Sequence, residues 1–250
     1  SILSLIERRA GEIHFNFEAR AELLDRAMAE AFARIPCSLQ IGLQSSNPEA
    51  LKLVSRPADL SQFSKKIALL NEAGVTFGLD LMYGLPGDSL STFRSSLDYA
   101  IGLYPNNLEI FRLAVLPGTA LADRAGELQL ECEKAPPYHV LSTPRFPAQD
   151  LSRAATLARA ADIFYTQGRA VTWFLSILAP LKLKASQFLQ DFAAFLENPA
   201  LQKASGVTAP LASCPAESIT HREAEALQLA FLAVKYREKG KAYLETLVKN

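Results

Sequence analysis

The sequence predicts an α/β protein whose parallel strands form an open sheet or part of a TIM-type (β/α) barrel, followed by an all-helical C-terminal region. Three observations lead there. Through the first half, runs of period-two hydrophobicity alternate with runs of helical period. A helix stands between each strand and the next, the connection that parallel neighbours in one sheet require. From Pro136 onward only helical patterns remain, which divides the chain into a partial barrel at 1–135 and a helical domain at 136–250.

The first strand is EIHFNFE at 12–18, and AELLDRAMAEAFARI then carries apolar residues at helical spacing until Pro36 stops it. SLQIGLQ at 38–44 is the second strand. Asn47 followed by Pro48 is a cap with proline at the first helical position, so a short helix starts there. Asp59 with Gln62 has capping-box spacing for the longer helix that follows, which runs to Gly74 as its C-terminal stop. TFGLDLMY at 76–83 is the third strand and breaks at GLPGDS; STFRSSLDYAIGLY is a helix ended by Pro105, and the fourth strand, 108–116, ends at PGT. These four units are about half of an eight-fold barrel. In the second half come AQDLSRAATLARAADIFYTQG, an apolar helix at 170–181 with Trp173, and a helix with Phe188, Leu189, Phe192, Phe195 and Leu196 on one stripe. A connector at 206–215 precedes a last helix, which Thr220 and Glu223 open by capping-box spacing and which ends at Gly240.

At 250 residues, 49% hydrophobic and 21% charged, the chain can bury a sizeable core. Basic and acidic residues balance at 26 each, so charge points to neither a nucleic acid nor an anionic membrane surface as partner. The most apolar stretch, 170–181, is too short to cross a bilayer. SILSLIERRA has neither the basic start nor the long apolar run of a secretory signal, which places the protein in the cytoplasm. Cys37, Cys132 and Cys214 are scattered, with no disulfide framework and no local metal-ligand spacing. His14 and His139 read as structural, since no second His or Cys stands at ligand spacing from either.

In parallel α/β architectures ligands gather where strands end. Three ends here are chemically unusual: Asn16 with Glu18, the run Gln44-Ser45-Ser46-Asn47, and the segment from Asp80 to Asp88. Each has a plainer reading. Gln44 to Asn47 also suits a helix cap, Gly84 to Gly87 an ordinary tight turn, and Asp80 a buried hydrogen-bonded carboxylate near a barrel axis.

IGLQSSNPEALKLVSRP followed by GVTFGLDLMYGLPGDSLSTF resembles the radical S-adenosylmethionine superfamily, most closely its cobalamin-binding branch with the anaerobic magnesium-protoporphyrin cyclase-like proteins. The resemblance covers roughly residues 12–120. It implies S-adenosylmethionine as cofactor, with a 4Fe-4S cluster and a cobalamin domain in the complete protein, a small-molecule substrate, and a site made by Asn16, Glu18, Gln40, Gln44, Ser45, Arg56, Asp80, Met82, Gly84, Leu85, Pro86, Gly87 and Arg112. In this reading Gln44 and Ser45 are polar contacts, and Arg56 grips the ligand carboxylate through its planar fork. Gly84 and Gly87 let the backbone approach, Pro86 stiffens that turn, and Arg112 and Leu113 line the cavity. The resemblance also implies acidic residues where Asn16 and Gln40 stand, and a CxxxCxxC loop after the first barrel strand whose thiolates hold the cluster. The chain has no such loop, so by itself it is expected to bind no cluster; its first strand-helix units are expected to lie in a missing N-terminal part of the same protein. Two functions follow: a fragment of a radical enzyme, or a barrel-derived binding or scaffold protein without the cluster chemistry.

Overall fold

The computed structural model describes residues 2–198 and 215–236. The chain divides into two compact units, Ser1–Ala154 and Ala155–Asn250.

The first unit opens with helix α1 (Ile2–Arg9) and holds four strands, β1 (Phe15–Ala19), β2 (Cys37–Gln44), β3 (Thr76–Tyr83) and β4 (Asn107–Arg112). They pair side by side in chain order and all parallel, as the alternation of strand and helix predicts. β1 starts at Phe15 rather than at Glu12, because residues 10–13 form a turn in which the Ile13 N–H donates to the Ala10 carbonyl at 3.0 Å. The helix expected at 21–35 is split into a short 3₁₀ turn, Ala21–Leu23, and α2 (Arg26–Ala33). Asp25 is the cause: its carboxylate accepts the Met28 N–H at 2.7 Å and so starts α2 afresh.

Three more helices follow local signals. In α3 (Pro48–Leu53) Asn47 is the cap, and Asp59 caps α4 (Leu60–Ala73) by accepting from the Ser61 and Gln62 N–H groups. Gly74 ends α4 in the left-handed region at φ 72°. Ser89 and Thr92 form a reciprocal capping box for α5 (Leu90–Ile101).

Strand alternation sorts the sheet into two faces. Leu39, Ile41 and Leu43 of β2 and Phe77, Leu79 and Leu81 of β3 are buried on one, which belongs to the same core as Phe63, Ile67 and Leu70 of α4 and Phe93, Leu97 and Ile101 of α5. Each such side chain contributes about 1.5–3 kcal/mol by leaving water. The other face is mostly polar, with Met82 and Phe111 toward its carboxyl end.

Regular β4 pairing stops at Arg112, short of the expected 116, and the chain turns to antiparallel partners. Around a short helix, α6 (Ala120–Asp123), residues 113–115 pair with 138–140, and β5 (Glu131–Cys132) pairs with β6 (Val140–Ser142). Val140 and Phe146, both fully buried, anchor this ribbon. From α7 (Ala148–Ala161) onward the described residues form only helices and turns.

In the second unit a π-helical turn, Asp162–Gln167, leads through a 3₁₀ turn to α8 (Phe174–Leu181), α9 (Ala185–Leu196) and α10 (His221–Lys235). The stripe on α9 is buried as its spacing predicts, with Phe188 and Phe192 at 5.1 and 4.9 Å from the Phe164 ring centroid. Trp173 is half-buried at the start of α8. Gln228, buried on α10, donates to the Phe164 and Gly168 carbonyls at 2.6 and 3.1 Å, satisfying groups around the π turn. Thr220 and Glu223 form the expected capping box. Cys214, Gly240 and nearly all of the 206–215 connector lie outside the described residues. Among the described residues no helix is long and apolar enough to cross a membrane.

Candidate functional site

The site is built on the polar face of the sheet. Parallel register sets Glu18, Gln40, Gly78 and Asn107 in one row across the four strands, and Gly42, Asp80 and Glu109 in the next. One step further toward the carboxyl ends Met82 stands beside Phe111. The sheet thus presents Asn16, Glu18, Gln40, Asp80 and Met82 on one surface because all occupy the same parity of the pleat.

Two more residues reach this face, one from the bulged end of β2 and one from after α3. Between Gly42 and Gln44 the register with β3 shifts by a bulge, and Gln44 takes φ 67°. Its amide folds back so that Nε2 lies 2.6 Å from where a Gly42 Cβ would stand, with Arg56 Nη1 3.6 Å from the same point. Arg56 is delivered by the end of α3, where Ser55 is left-handed at φ 58°, its N–H donates to the Lys52 carbonyl, and the Arg56 N–H donates to the Leu51 carbonyl at 2.8 Å.

Three carboxylates and one guanidinium therefore share this surface. Burial pushes the Asp80 carboxyl above its usual range; the Gln40 hydrogen bond pulls it down, the Glu18 charge adds to the rise, and Arg56 opposes it. Glu109 is also pushed up, by burial first and then by Asp80 and Glu18. A carboxyl raised in the folded state stabilises the fold in its protonated form. That contribution is full below the unfolded values, 3.8 for Asp80 and 4.5 for Glu109, and is lost as pH rises through the folded ones. Glu109→Gln is accordingly expected to raise stability at pH 7 by ~0.5 kcal/mol, with little gain at pH 3. Urea denaturation at the two pH values checks this, and a loss at pH 7 would mean that Glu109 is held by a favourable partner.

The remaining expected site residues lie elsewhere. Ser45 is fully buried, and its hydroxyl is committed to Asp88 Oδ2 at 3.3 Å, Ser96 Oγ at 3.2 Å and the Asn47 N–H at 3.0 Å. Asn47 donates through Nδ2 to the Gly87 carbonyl at 3.1 Å and to Asp88 Oδ1 at 3.4 Å. This buried knot ties the loop after β2 to the loop after β3, so Ser45, Ser46 and Asn47 act here as a brace and a cap. Leu85 and Pro86 are buried in protein. Gly84 is at φ 84°, and a Cβ there would stand 2.7 Å from Val140 Cγ1 and 2.9 Å from Leu151 Cδ2. On its Cβ side Gly84 thus faces two side chains of this unit. At Gly87, φ 75°, the neighbour is Leu53 Cδ1, 2.8 Å from where a Cβ would stand. Arg112 is on the opposite parity from Asp80 and Met82 and donates through Nε to the Val140 carbonyl at 2.8 Å; Leu113 is buried.

Glu109, Asn107 and Phe111 join the face without having been singled out, although the alternation in NLEIFR, apolar at Leu108 and Ile110, carries the signal for Glu109. Ser96 emerges only from the fold, since Ser45 and Ser46, which it meets, are distant in sequence, and so does the link from Asp88 to Ser45 and Asn47.

The donor set suits an amino-acid-bearing cation: Arg56 for a carboxylate, Glu18, Asp80 and Glu109 for ammonium or hydroxyl donors, and Met82 and Phe111 for an apolar ring. S-adenosylmethionine has this chemistry, and the residues fit it. They do not fit an iron-sulfur cluster. Cys37 is buried with its thiol toward the Phe32 carbonyl, Cys132 lies on β5, and no metal-holding group of three or more His, Cys, Asp or Glu occurs among the described residues. His14 instead pairs with Ser38 Oγ at 2.8 Å, and His139 lies beside Glu133.

Residues 1–100 match the model of the radical SAM superfamily. The oxygen-independent coproporphyrinogen III oxidase of Salmonella typhimurium is 37% identical over 111 residues, which are 43% of this chain and 23% of that enzyme. Heme chaperone HemW of Escherichia coli K12 is 34% identical over 87 residues, 34% of this chain and 23% of HemW. The matches thus span about a quarter of the length of these relatives. Among solved structures, coproporphyrinogen III oxidase (HemN) from Escherichia coli aligns with a TM-score of 0.47 at 21% identity, covering 62% of this chain and 34% of that one. The radical S-adenosylmethionine methyltransferase TsrM from Kitasatospora setae, solved with cobalamin and a 4Fe-4S cluster, aligns with a TM-score of 0.46 at 19% identity over 60% of this chain and 31% of that one.

Proposed function

We propose that this chain is the S-adenosylmethionine-binding part of a radical enzyme whose cluster-holding cysteines belong to a preceding part of the same protein. One observation carries the reading: Glu18, Gln40, Gln44, Asp80 and Arg56 stand together on the polar face of a parallel sheet, within the 100 residues that match the superfamily. Arg56 holds the ligand carboxylate, Glu18 and Asp80 accept from its ammonium and ribose hydroxyls, and the Gln44 amide closes over Gly42 beside them. With an iron-sulfur cluster supplying one electron, S-adenosylmethionine yields methionine and a 5'-deoxyadenosyl radical in such an enzyme. The role of this chain is to orient the ligand and bear its charge. The substrate is a small molecule, nucleic acid and membrane have no part, and the setting is the cytoplasm. Relatives named for coproporphyrinogen and heme favour a tetrapyrrole substrate over the cobalamin-binding branch.

A second reading comes from the heme chaperone relative: a binding protein that carries a tetrapyrrole and makes no radical. Calorimetry with S-adenosylmethionine on the full chain separates the two. Saturable binding, weakened about tenfold by Arg56→Ala, is the expected result. Absence of binding, together with a Soret shift on hemin titration, would replace the enzyme reading with the carrier one.

A further inference from the structure

We infer that Asn107, Gln40 and Gly78 form a relay that positions the Asp80 carboxylate for its ligand, a role that rests on the S-adenosylmethionine reading above. Gln40 on β2 and Asn107 on β4 flank Gly78 of β3 in register. Neighbouring strands are about 4.8 Å apart, so these two backbones stand roughly 10 Å from each other with β3 between them. Their side chains close the distance: Asn107 Nδ2 donates to Gln40 Oε1 at 3.5 Å, and Gln40 Nε2 donates to Asp80 Oδ1 at 2.5 Å.

The lane exists only because residue 78 has no side chain. A Cβ there would stand 2.2 Å from Gln40 Oε1 and 2.3 Å from Asn107 Oδ1. Gly78 has no positive φ, so backbone freedom does not explain a glycine inside a strand, where it weakens the sheet. Room for the two amides does.

Chemistry fixes the direction of the relay. A carboxylate only accepts, so Gln40 must turn its NH₂ toward Asp80 and its oxygen toward the Asn107 NH₂. Oδ1 of Asp80 is then held, and Oδ2 is presented to a hydroxyl or ammonium donor of the ligand. The charged groups facing Asp80 are Glu18 on β1, Glu109 on β4 and Arg56 after α3. Burial first, and then the Glu18 charge, favour a proton on Asp80; Gln40 acts with Arg56 to keep it off. Gln40 and Asn107 are positioning residues, acting on the ligand through Asp80.

The test is an NMR titration of the Asp80 side-chain carboxyl in the full chain, assigned with Asp80→Asn, alongside calorimetry with S-adenosylmethionine. Gln40→Met keeps the length of the side chain and removes the donor. Its Asp80 midpoint is expected to rise by about half a pH unit or more, with a smaller rise in Asn107→Ala, which removes only the outer anchor. Affinity for S-adenosylmethionine is expected to fall about tenfold in Gln40→Met. An unchanged midpoint in a Gln40→Met protein with wild-type circular dichroism overturns the relay. If that variant does not fold, an unchanged midpoint in Asn107→Ala overturns it equally. A shifted midpoint with unchanged affinity removes the positioning role. A shifted midpoint with no binding even in the wild type upholds the relay's hold on Asp80 and removes the proposed ligand instead.

Discussion

Gly84→Val is expected to destabilise the first unit strongly. The residue sits at φ 84°, a region that a β-branched side chain adopts only under strain, and left-handed backbone costs an L-residue roughly 1–2 kcal/mol. Space compounds the cost. The new Cβ would stand 2.7 Å from Val140 Cγ1 and 2.9 Å from Leu151 Cδ2, and these side chains are 0% and 2% exposed, so neither has solvent to move into. Overpacking of this kind costs roughly 1–3 kcal/mol before the two γ-methyls are counted. A total of roughly 3–5 kcal/mol takes a large share of the ~5–15 kcal/mol that holds a typical domain together. Urea denaturation followed by circular dichroism measures it. A valine variant with the wild-type midpoint would show that the GLPG turn has open space above it, and that Val140 and Leu151 do not close it off.

The contrast between what the residues announce and what they hide is clearest around this turn. Strand order, the caps at Asn47 and Asp59 and the glycine stop at Gly74 depend on neighbours a few positions away, and each is legible as pattern. The polar face is legible too: Gln40 and Asp80 alternate with buried apolar residues and Glu18 with half-buried ones, and parallel register aligns them without further information. Gly84 is different. Its glycine signals a special backbone, but whether ligand or protein occupies the space beside it depends on Val140 and Leu151, which fold back from far along the chain. The ribbon that brings Val140 there, with β5 of two residues and β6 of three, is too short for a period to register. Ser45 is similar: its hydroxyl bonds to Asp88 and Ser96, which arrive from the next loop and helix and which no local pattern announces.

That knot carries the second large effect: Asp88→Ala is expected to cost about 3 kcal/mol. Asp88 is fully buried, and five donor contacts converge on or beside it. Oδ1 accepts from the Ser89 N–H at 3.2 Å, from Asn47 Nδ2 at 3.4 Å and from the Thr92 hydroxyl; Oδ2 accepts from Ser45 Oγ at 3.3 Å, while Asn47 Nδ2 also reaches the Gly87 carbonyl. Alanine leaves the buried donors of Ser45 and Thr92 short of a partner, at about 1–3 kcal/mol for each group that finds no substitute. It also frees the loop after β2 from the loop after β3, the loops that lead to Arg56 and follow Asp80. The pH dependence has a definite sign. Burial pushes the Asp88 carboxyl above its ordinary 3.8, against the pull of Thr92, Asn47, Ser89 and Ser45, so the folded state binds its proton more tightly than the unfolded chain. The stability it contributes is full below that unfolded value and declines as pH rises through the raised folded one, whereas the alanine variant has nothing to titrate there. The stability gap between wild type and Asp88→Ala should therefore be widest near pH 3.5 and narrower at pH 7, read from urea midpoints at both. A gap that widens toward pH 7 would mean that the four donor residues outweigh burial and hold Asp88 ionised. The knot would then be an anion site within the fold, and Asp88→Asn, which retains the shape but loses the charge, would be nearly as damaging as alanine at neutral pH.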